Sequence, residues 1–258
     1  MALALSTLYH DESLLVVDKP AGLLVHNGWA RERVTALSLA REVAAKHVYP
    51  LHRLDRATSG VLVFALAPEV ARAAQGRLRA PETRKGYLAL VRGVPSEAGV
   101  VDHPLAKEGS TERRPARTEF ERWGTFERYS LVRLLLLTGR QHQARRHMKH
   151  LSHPLVGDVK YGKGEHNRAM RARFGLFRLA LHAFELAWYH PITGEPLLHR
   201  APLPRDLAEP LRGMGLLGLA KAAMESPPRR SSNLGGPASG SGHDRAPANL
   251  DDATVDSP

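Results

Sequence analysis

The sequence predicts a mixed α+β protein built on a largely antiparallel sheet. Strand-like runs outnumber helical ones, and the two do not alternate as a doubly wound parallel fold requires. In addition, the consecutive runs "RTEFERW" and "YSLVRLLLLT" read as an antiparallel pair.

The elements follow in order. "MALALSTLYHDE" reads as a first strand; no basic segment precedes its short apolar stretch and no cleavage site follows, so it is not expected to be a signal peptide. "SLLVVDKPAGLLVH" reads as two extended pieces around a Lys-Pro-Ala-Gly turn. "VTALSLAREVAAKH" carries Leu37, Ala40, Val43 and Ala44 at helical spacing. "GVLVFAL" is a buried strand, and "PEVARAAQGRLR" a helix with Pro68 in its first turn, where a missing N–H costs little. "TRKGYLALVRGV" alternates, with Tyr87, Ala89 and Val91 on one face and Leu88, Leu90 and Arg92 on the other. "GRQHQARRHMKHL" reads as a helix, and "LALHAFELAWYH" as a further strand.

Composition narrows the function. Of 258 residues, 43% are hydrophobic, enough for a substantial core. The absence of cysteine excludes disulfides, thiolate zinc sites and cysteine nucleophiles, and fits a cytoplasmic protein. No apolar run approaches the roughly 20 residues that span a bilayer, so no membrane partner is expected. The net charge is +11, and residues 226–258 hold three arginines against four aspartates, which leaves +12 on the first 225 residues. Such an excess favours a polyanionic partner, nucleic acid first. The last 33 residues, rich in Pro, Gly, Ser and Asp, cannot bury enough surface to offset their ordering entropy and are expected to be a disordered tail.

Three stretches carry candidate chemistry. "LHRLDRATSG", residues 51 to 60, sets the single carboxylate of Asp55 among His52, Arg53 and Arg56. On its residues alone it is either an ion-paired turn leading into a strand or a catalytic aspartate in a phosphate-rich site. "KGYLALVRG" places Tyr87 in a strand near Lys85, a pattern that also suits an ordinary core tyrosine. "TGRQHQARRHMKHLSHPLVGD" is expected to set Gln141, Arg145 and Lys149 on one helix face, with His142 and Arg146 beside it. Its histidines have no acid at ligand spacing, so no metal is expected.

Together these stretches resemble the RluA-type pseudouridine synthases. The resemblance lies in Lys19 to Gly22, His52 to Gly60, Lys85 to Gly93, Gly139 to His147 and Leu181 to Ala183, in the family's order, and covers about residues 8 to 202. It implies the pseudouridine synthase fold, a mixed, largely antiparallel sheet flanked by helices and loops. It also implies an isomerase that breaks the N1–C1′ bond of a uridine, turns the uracil and rejoins it through C5, without cofactor or metal. Asp55 is then the catalytic carboxylate, and three routes fit it: attack on the sugar, attack on the base, or removal of a sugar proton. Arg145 matches the arginine paired with it, and Tyr87 the tyrosine that stacks on the uracil and assists proton removal from C5. Arg53 resembles the arginine that fills the gap left by the extruded base, and Leu181 the apolar residue beneath that base. His52, Arg56, Lys85, Arg140, His142 and Gln143 fall in the same motifs as expected substrate or RNA contacts. Ala144 departs from the usual Ile or Leu and is expected to loosen packing behind Arg145.

Residues 157–197 and "LVHNGW" are most similar to the tRNA pseudouridine-65 synthases, with the catalytic domain expected over residues 1–225 and no S4-like domain before it. That likeness implies a tRNA partner, a monomer, and an RNA-facing surface along Asn167, Arg168, Arg171, Arg173 and Arg178. The alternatives are a ribosomal RNA substrate, or an RNA-binding protein or chaperone without activity on the same fold. A glycosidase would want two carboxylates at one site, and the motif region offers one.

Overall fold

In a computed structural model of the protein, residues 4–27 and 32–227 are described; the expected tail lies almost wholly outside them. The N-terminal half runs β1 (Ser6–His10), β2 (Leu14–Lys19), α1 (Ala36–Ala44), β3 (Tyr49–Pro50), β4 (Ser59–Ala65), α2 (Pro68–Arg77), β5 (Arg84–Arg92) and β6 (Ala98–Asp102). A short hairpin follows, β7 (Leu105–Ala106) and β8 (Arg113–Arg114), and then the long pair β9 (Arg117–Phe126) and β10 (Tyr129–Leu136). The remainder is α3 (Gln143–His150), α4 (Gly164–Phe174), β11 (Leu181–Tyr189), β12 (Pro196–Arg200), α5 (Arg205–Gly213) and α6 (Leu217–Glu225).

The main sheet runs β1-β2-β4-β11-β5-β10-β9-β6, with β12 beside β11 and β3 beside β4. Every neighbouring pair is antiparallel except β4 and β11, where Ser59 faces His182 and Gly60 faces Ala183. That parallel junction depends on glycine. Gly60 has φ +119°, and a Cβ there would lie 2.1 Å from the carbonyl oxygen of Ala183.

Both faces of the sheet are covered, which is why β2 and β4 read as continuous apolar runs instead of alternating. Along β11, Leu181 and Ala183 point to one face and Phe184, Leu186 and Trp188 to the other. On the back, Leu207 and Leu211 of α5 and Ala220 and Ala223 of α6 pack on Leu88 and Leu90, while Val70 and Ala74 of α2 pack on Val61 and Val63. On the front, Leu39 of α1 packs with Leu15, Leu62 and Ala183, and Ala144 and Met148 of α3 with Ala89, Leu134 and Leu181. Tyr87 touches both front clusters. The seam between them holds the site.

Several expectations need correction. The second half of "SLLVVDKPAGLLVH" is not a strand; Leu24 and Val25 instead use their carbonyls to accept from Ala36 and Leu37 at the start of α1. That helix begins at a Thr35 cap, where Thr35 and Ser38 bond reciprocally, and it buries Ala36, Leu39 and Ala40 while Val43 stays exposed. Gln141 is not on the face of Arg145 and Lys149. α3 starts two residues later, because the Gln143 side-chain oxygen accepts from the Arg140 N–H and the Thr138 hydroxyl and holds 138–142 as a turn. Ala144 is buried in the front cluster and borders the cleft.

Candidate active site

An open cleft sits on the front seam. Asp55 and Arg53 line it from the loop before β4, with Tyr87 from β5, Leu136 from β10, Leu181 from β11, and Arg140, His142 and Arg145 from the turn and helix after β10. Tyr87 and Leu181, from β5 and β11, thus form the floor, and the Asp55 loop and the segment from Arg140 to Arg145 the walls. A second cavity, on the opposite face under α5, is lined wholly by apolar residues such as Leu90, Leu131 and Leu211 and has no group to orient a polar ligand.

Arg145 organises the polar side of the cleft. Its Nη1 donates to Asp55 Oδ2 at 2.9 Å, while Nε and Nη2 donate to Asp158 Oδ2 and Oδ1 at 2.7 and 2.9 Å. Burial alone would weaken the guanidinium charge, but the two carboxylates outweigh it and raise its pKa. Asp158 is buried too. Burial would push its carboxyl up, yet Arg145 and the N–H groups of Tyr161 and Lys160 hold it below the usual range. Gly157, with φ +79°, makes this turn possible, since a Cβ there would meet the Arg178 carbonyl at 2.0 Å.

His142 completes the wall in an unusual backbone state. It has φ 54° at the N-terminus of α3, a left-handed conformation that aims its ring across the cleft. Nε2 lies 3.5 Å from Asp55 Oδ1 and Nδ1 3.0 Å from the Tyr161 hydroxyl. Burial lowers its pKa against the opposing pull of Asp55, which favours the neutral ring. Tyr161 in turn lies under the guanidinium of Arg145 at 5.0 Å and the ammonium groups of Lys149 and Lys160 at 5.8 Å.

Behind Asp55, Lys19 ties the loops together. It is wholly buried, and its Nζ donates to the carbonyls of Pro20 and Leu23 at 2.8 Å and of Arg56 at 3.3 Å. Arg56 answers with Nε to Gly22 O at 2.9 Å, so the Lys-Pro-Ala-Gly turn and the Asp55 loop form one unit. Burial, with Arg178 nearby, brings the Lys19 pKa down to about 7.

The phenol of Tyr87 is pushed above its ordinary value by burial first and by the charge of Asp55 second. It therefore stands at neutral pH as a hydroxyl, able to stack and to donate a hydrogen bond.

The expected site residues divide. Asp55, Tyr87, Arg145, Arg53, Arg140, His142 and Leu181 come together around the cleft. Others have partners within the protein. His52, lowered to about 4 by burial, accepts from the Val63 N–H through Nε2. Lys85 donates to the Leu78 carbonyl. Gln143 borders the cleft, but its amide serves Thr138, Arg140, Arg117 and Thr118. Asn167 accepts from Gly157 N–H and donates to Asp158 O. Arg178 is spent on Asp206, Ser59 and the Leu181 carbonyl, and Arg173 on Glu127 between the rings of Phe126 and Phe174. Arg56 is ion-paired with Glu32. Arg168 and Arg171 remain exposed, Arg171 lying over the exposed ring of Phe177 at 5.4 Å.

A family model described as RNA pseudouridylate synthase matches residues 13–150. Over 222 residues the chain is 42% identical to the tRNA pseudouridine synthase C of Vibrio cholerae serotype O1, covering 77% of this chain and 91% of that protein. The chain belongs to the RNA pseudouridylate synthase family. Another member, the tRNA pseudouridine synthase C of Salmonella typhimurium, is 38% identical over 83% of this chain and 92% of its own length. The solved structure of human RNA Pseudouridylate Synthase Domain Containing 4 superimposes with a TM-score of 0.68 at 28% identity, covering 81% of this chain and 93% of that one. As a pseudouridine synthase the protein is an isomerase acting on RNA, and its α+β fold is that of its solved relatives.

Tyr161 was given no role in the sequence, and Asp158 and Lys19 stood only as members of quoted motifs, although each holds a synthase cleft residue or its loop. The Gly157-Asp158 pair within a basic stretch was the available signal, since an isolated acid there needs a cationic partner once buried.

Proposed function

We propose that this synthase converts a uridine in a tRNA stem, position 65, to pseudouridine, as a cytoplasmic monomer. The observation that carries the chemistry is the Asp55–Arg145 pair on the edge of a cleft floored by Tyr87 and Leu181. The tRNA substrate is supported by the two bacterial relatives, whose names specify tRNA and whose alignments span most of this chain. Position 65 rests on the likeness of residues 157–197 to the tRNA pseudouridine-65 synthases.

In this reading the target uridine leaves its stem and enters the cleft, at a cost of a few kcal/mol for unstacking. Tyr87 stacks on the uracil and Leu181 supports it, a contact worth roughly 1–3 kcal/mol for an aromatic ring. Arg53, exposed at the rim, occupies the gap left in the RNA. Asp55 acts on the uridine as the ionised carboxylate, held in place by Arg145. Because Tyr87 is a phenol in the free enzyme, proton removal from C5 needs it to pass its proton on as it takes another. Bases in a stem offer few readable edges, so the protein reads backbone shape and charge, with Arg168 and Arg171 among the exposed cations.

Mapping pseudouridines in tRNA and ribosomal RNA from a deletion strain tests the assignment. Loss at tRNA position 65 is expected. Retention there with loss of a ribosomal position would overturn it.

A further inference from the structure

The catalytic loop ends in Thr58-Ser59-Gly60, and the fold accounts for two of these residues. Gly60 permits the parallel approach of β4 to Ala183. The Ser59 hydroxyl accepts from Arg178 Nη2 and contacts His182 Nδ1, both at 2.8 Å. Buried His182 directs Nε2 at the Ala201 carbonyl, so Nε2 carries the proton and Nδ1 accepts from Ser59.

Thr58 is different. Its N–H donates to the Asp55 carbonyl at 3.0 Å, the residue borders the cleft with Asp55, Tyr87 and Leu181, and it is 2% exposed. Yet its Oγ1 has no hydrogen-bond partner in the protein. Buried hydroxyls are nearly always paired, because an unpaired one forfeits its bonds to water. The other buried unpaired side-chain atoms among the described residues, on Arg122, Trp188 and His199, belong to residues that do not line the cleft. The fold thus leaves one buried hydroxyl unused, three residues from Asp55.

We propose that Thr58 Oγ1 hydrogen-bonds the uridine inside the cleft and fixes its orientation toward Asp55. A hydroxyl both donates and accepts, and uridine offers carbonyl, imide and ribose hydroxyl groups to match. A site built around such a bond distinguishes substrates that make it from those that cannot, since failure leaves the protein group unpaired. The inference rests on the synthase reading, though not on which RNA is modified.

The test compares wild type, Thr58→Val and Thr58→Ser in single turnover on RNA that contains the target uridine, together with RNA affinity and melting temperature. Thr58→Val keeps the shape and removes the hydroxyl. It should lose about tenfold or more in rate or affinity with a melting temperature equal to wild type or higher, because an unpaired polar atom has gone. Thr58→Ser should stay within a few fold. A Thr58→Val enzyme as fast and as tight as wild type overturns this inference alone, as does a lowered melting temperature in Thr58→Val that accounts for its loss. Inactivity of wild type on every tRNA and ribosomal RNA would overturn the synthase reading and this inference together.

Discussion

Asp158 grips Arg145 from behind, accepting from Nε at 2.7 Å and from Nη2 at 2.9 Å, while Nη1 reaches Asp55 at 2.9 Å. The aspartate at the cleft is thereby aimed by an arginine that cannot rotate away. Bidentate geometry on one side fixes direction on the other.

Asp158→Asn should therefore disturb both fold and reaction. An amide nitrogen cannot accept, so one Arg145 donor loses its partner and the buried cation keeps only Asp55 of its two counter-charges. Breaking a buried pair in this way costs on the order of 3–5 kcal/mol. Chemical denaturation should show a loss of that size, and the protein that remains folded should turn over more slowly. Unchanged stability and rate would mean that Arg145 needs no such clamp.

Tyr87→Phe separates stacking from proton handling. The ring stays, so RNA affinity should hold within a few fold. The hydroxyl goes, and single-turnover conversion should slow by roughly 10²-fold, the lower range for a positioned acid–base group. A variant as fast as wild type would confine Tyr87 to packing.

Acid should destabilise the protein in a defined window. Burial lowers His52, His147, His182 and His199 to about 4, against an ordinary value near 6.5. Between those limits the unfolded chain binds protons that the folded chain refuses, so the stability they contribute is fully present above about 6.5 and falls as pH drops toward 4. Asp158, held low by Arg145, adds a loss of the same sign. Asp18, pushed up to about 6 by burial, and Glu119, also raised by burial, act oppositely but are two groups against four. Lys19, brought down to about 7 by burial, acts in the same direction at higher pH, so melting temperatures should fall from pH 8 to pH 4 and most steeply below about 6.5. A level or rising profile below that point would contradict the buried, neutral histidines.

What the sequence made legible follows from local rules. The alternation in residues 84–92 did mark a strand, with Leu88 and Leu90 entering the back cluster and Ala89 and Val91 the front one. The Asp55, Tyr87 and Arg145 motifs identified three sides of the cleft, but nothing in their spacing showed that the loop before β4, β5 and α3 converge. α4 was not foreseen because its apolar content is slight: Met170 is its one buried residue, and the helix is held by polar ties such as Asn167 to Gly157. The same basic stretch suggested a row of RNA contacts. Arg173 and Arg178 are also ion-paired within the protein, to Glu127 and Asp206, which are distant in sequence and reach them in the fold. Partners set by tertiary contact leave no periodic trace.

The most direct measurement is tritium release from tRNA labelled at uridine C5, with wild type and Asp55→Asn compared at matched, verified RNA binding. In the proposed roles the carboxylate supplies chemistry and the exposed cations around it supply affinity, so Asp55→Asn should bind tRNA within a few fold of wild type and release no tritium above background. Appreciable release by Asp55→Asn would contradict the central claim that Asp55, aimed by Arg145, carries the isomerisation.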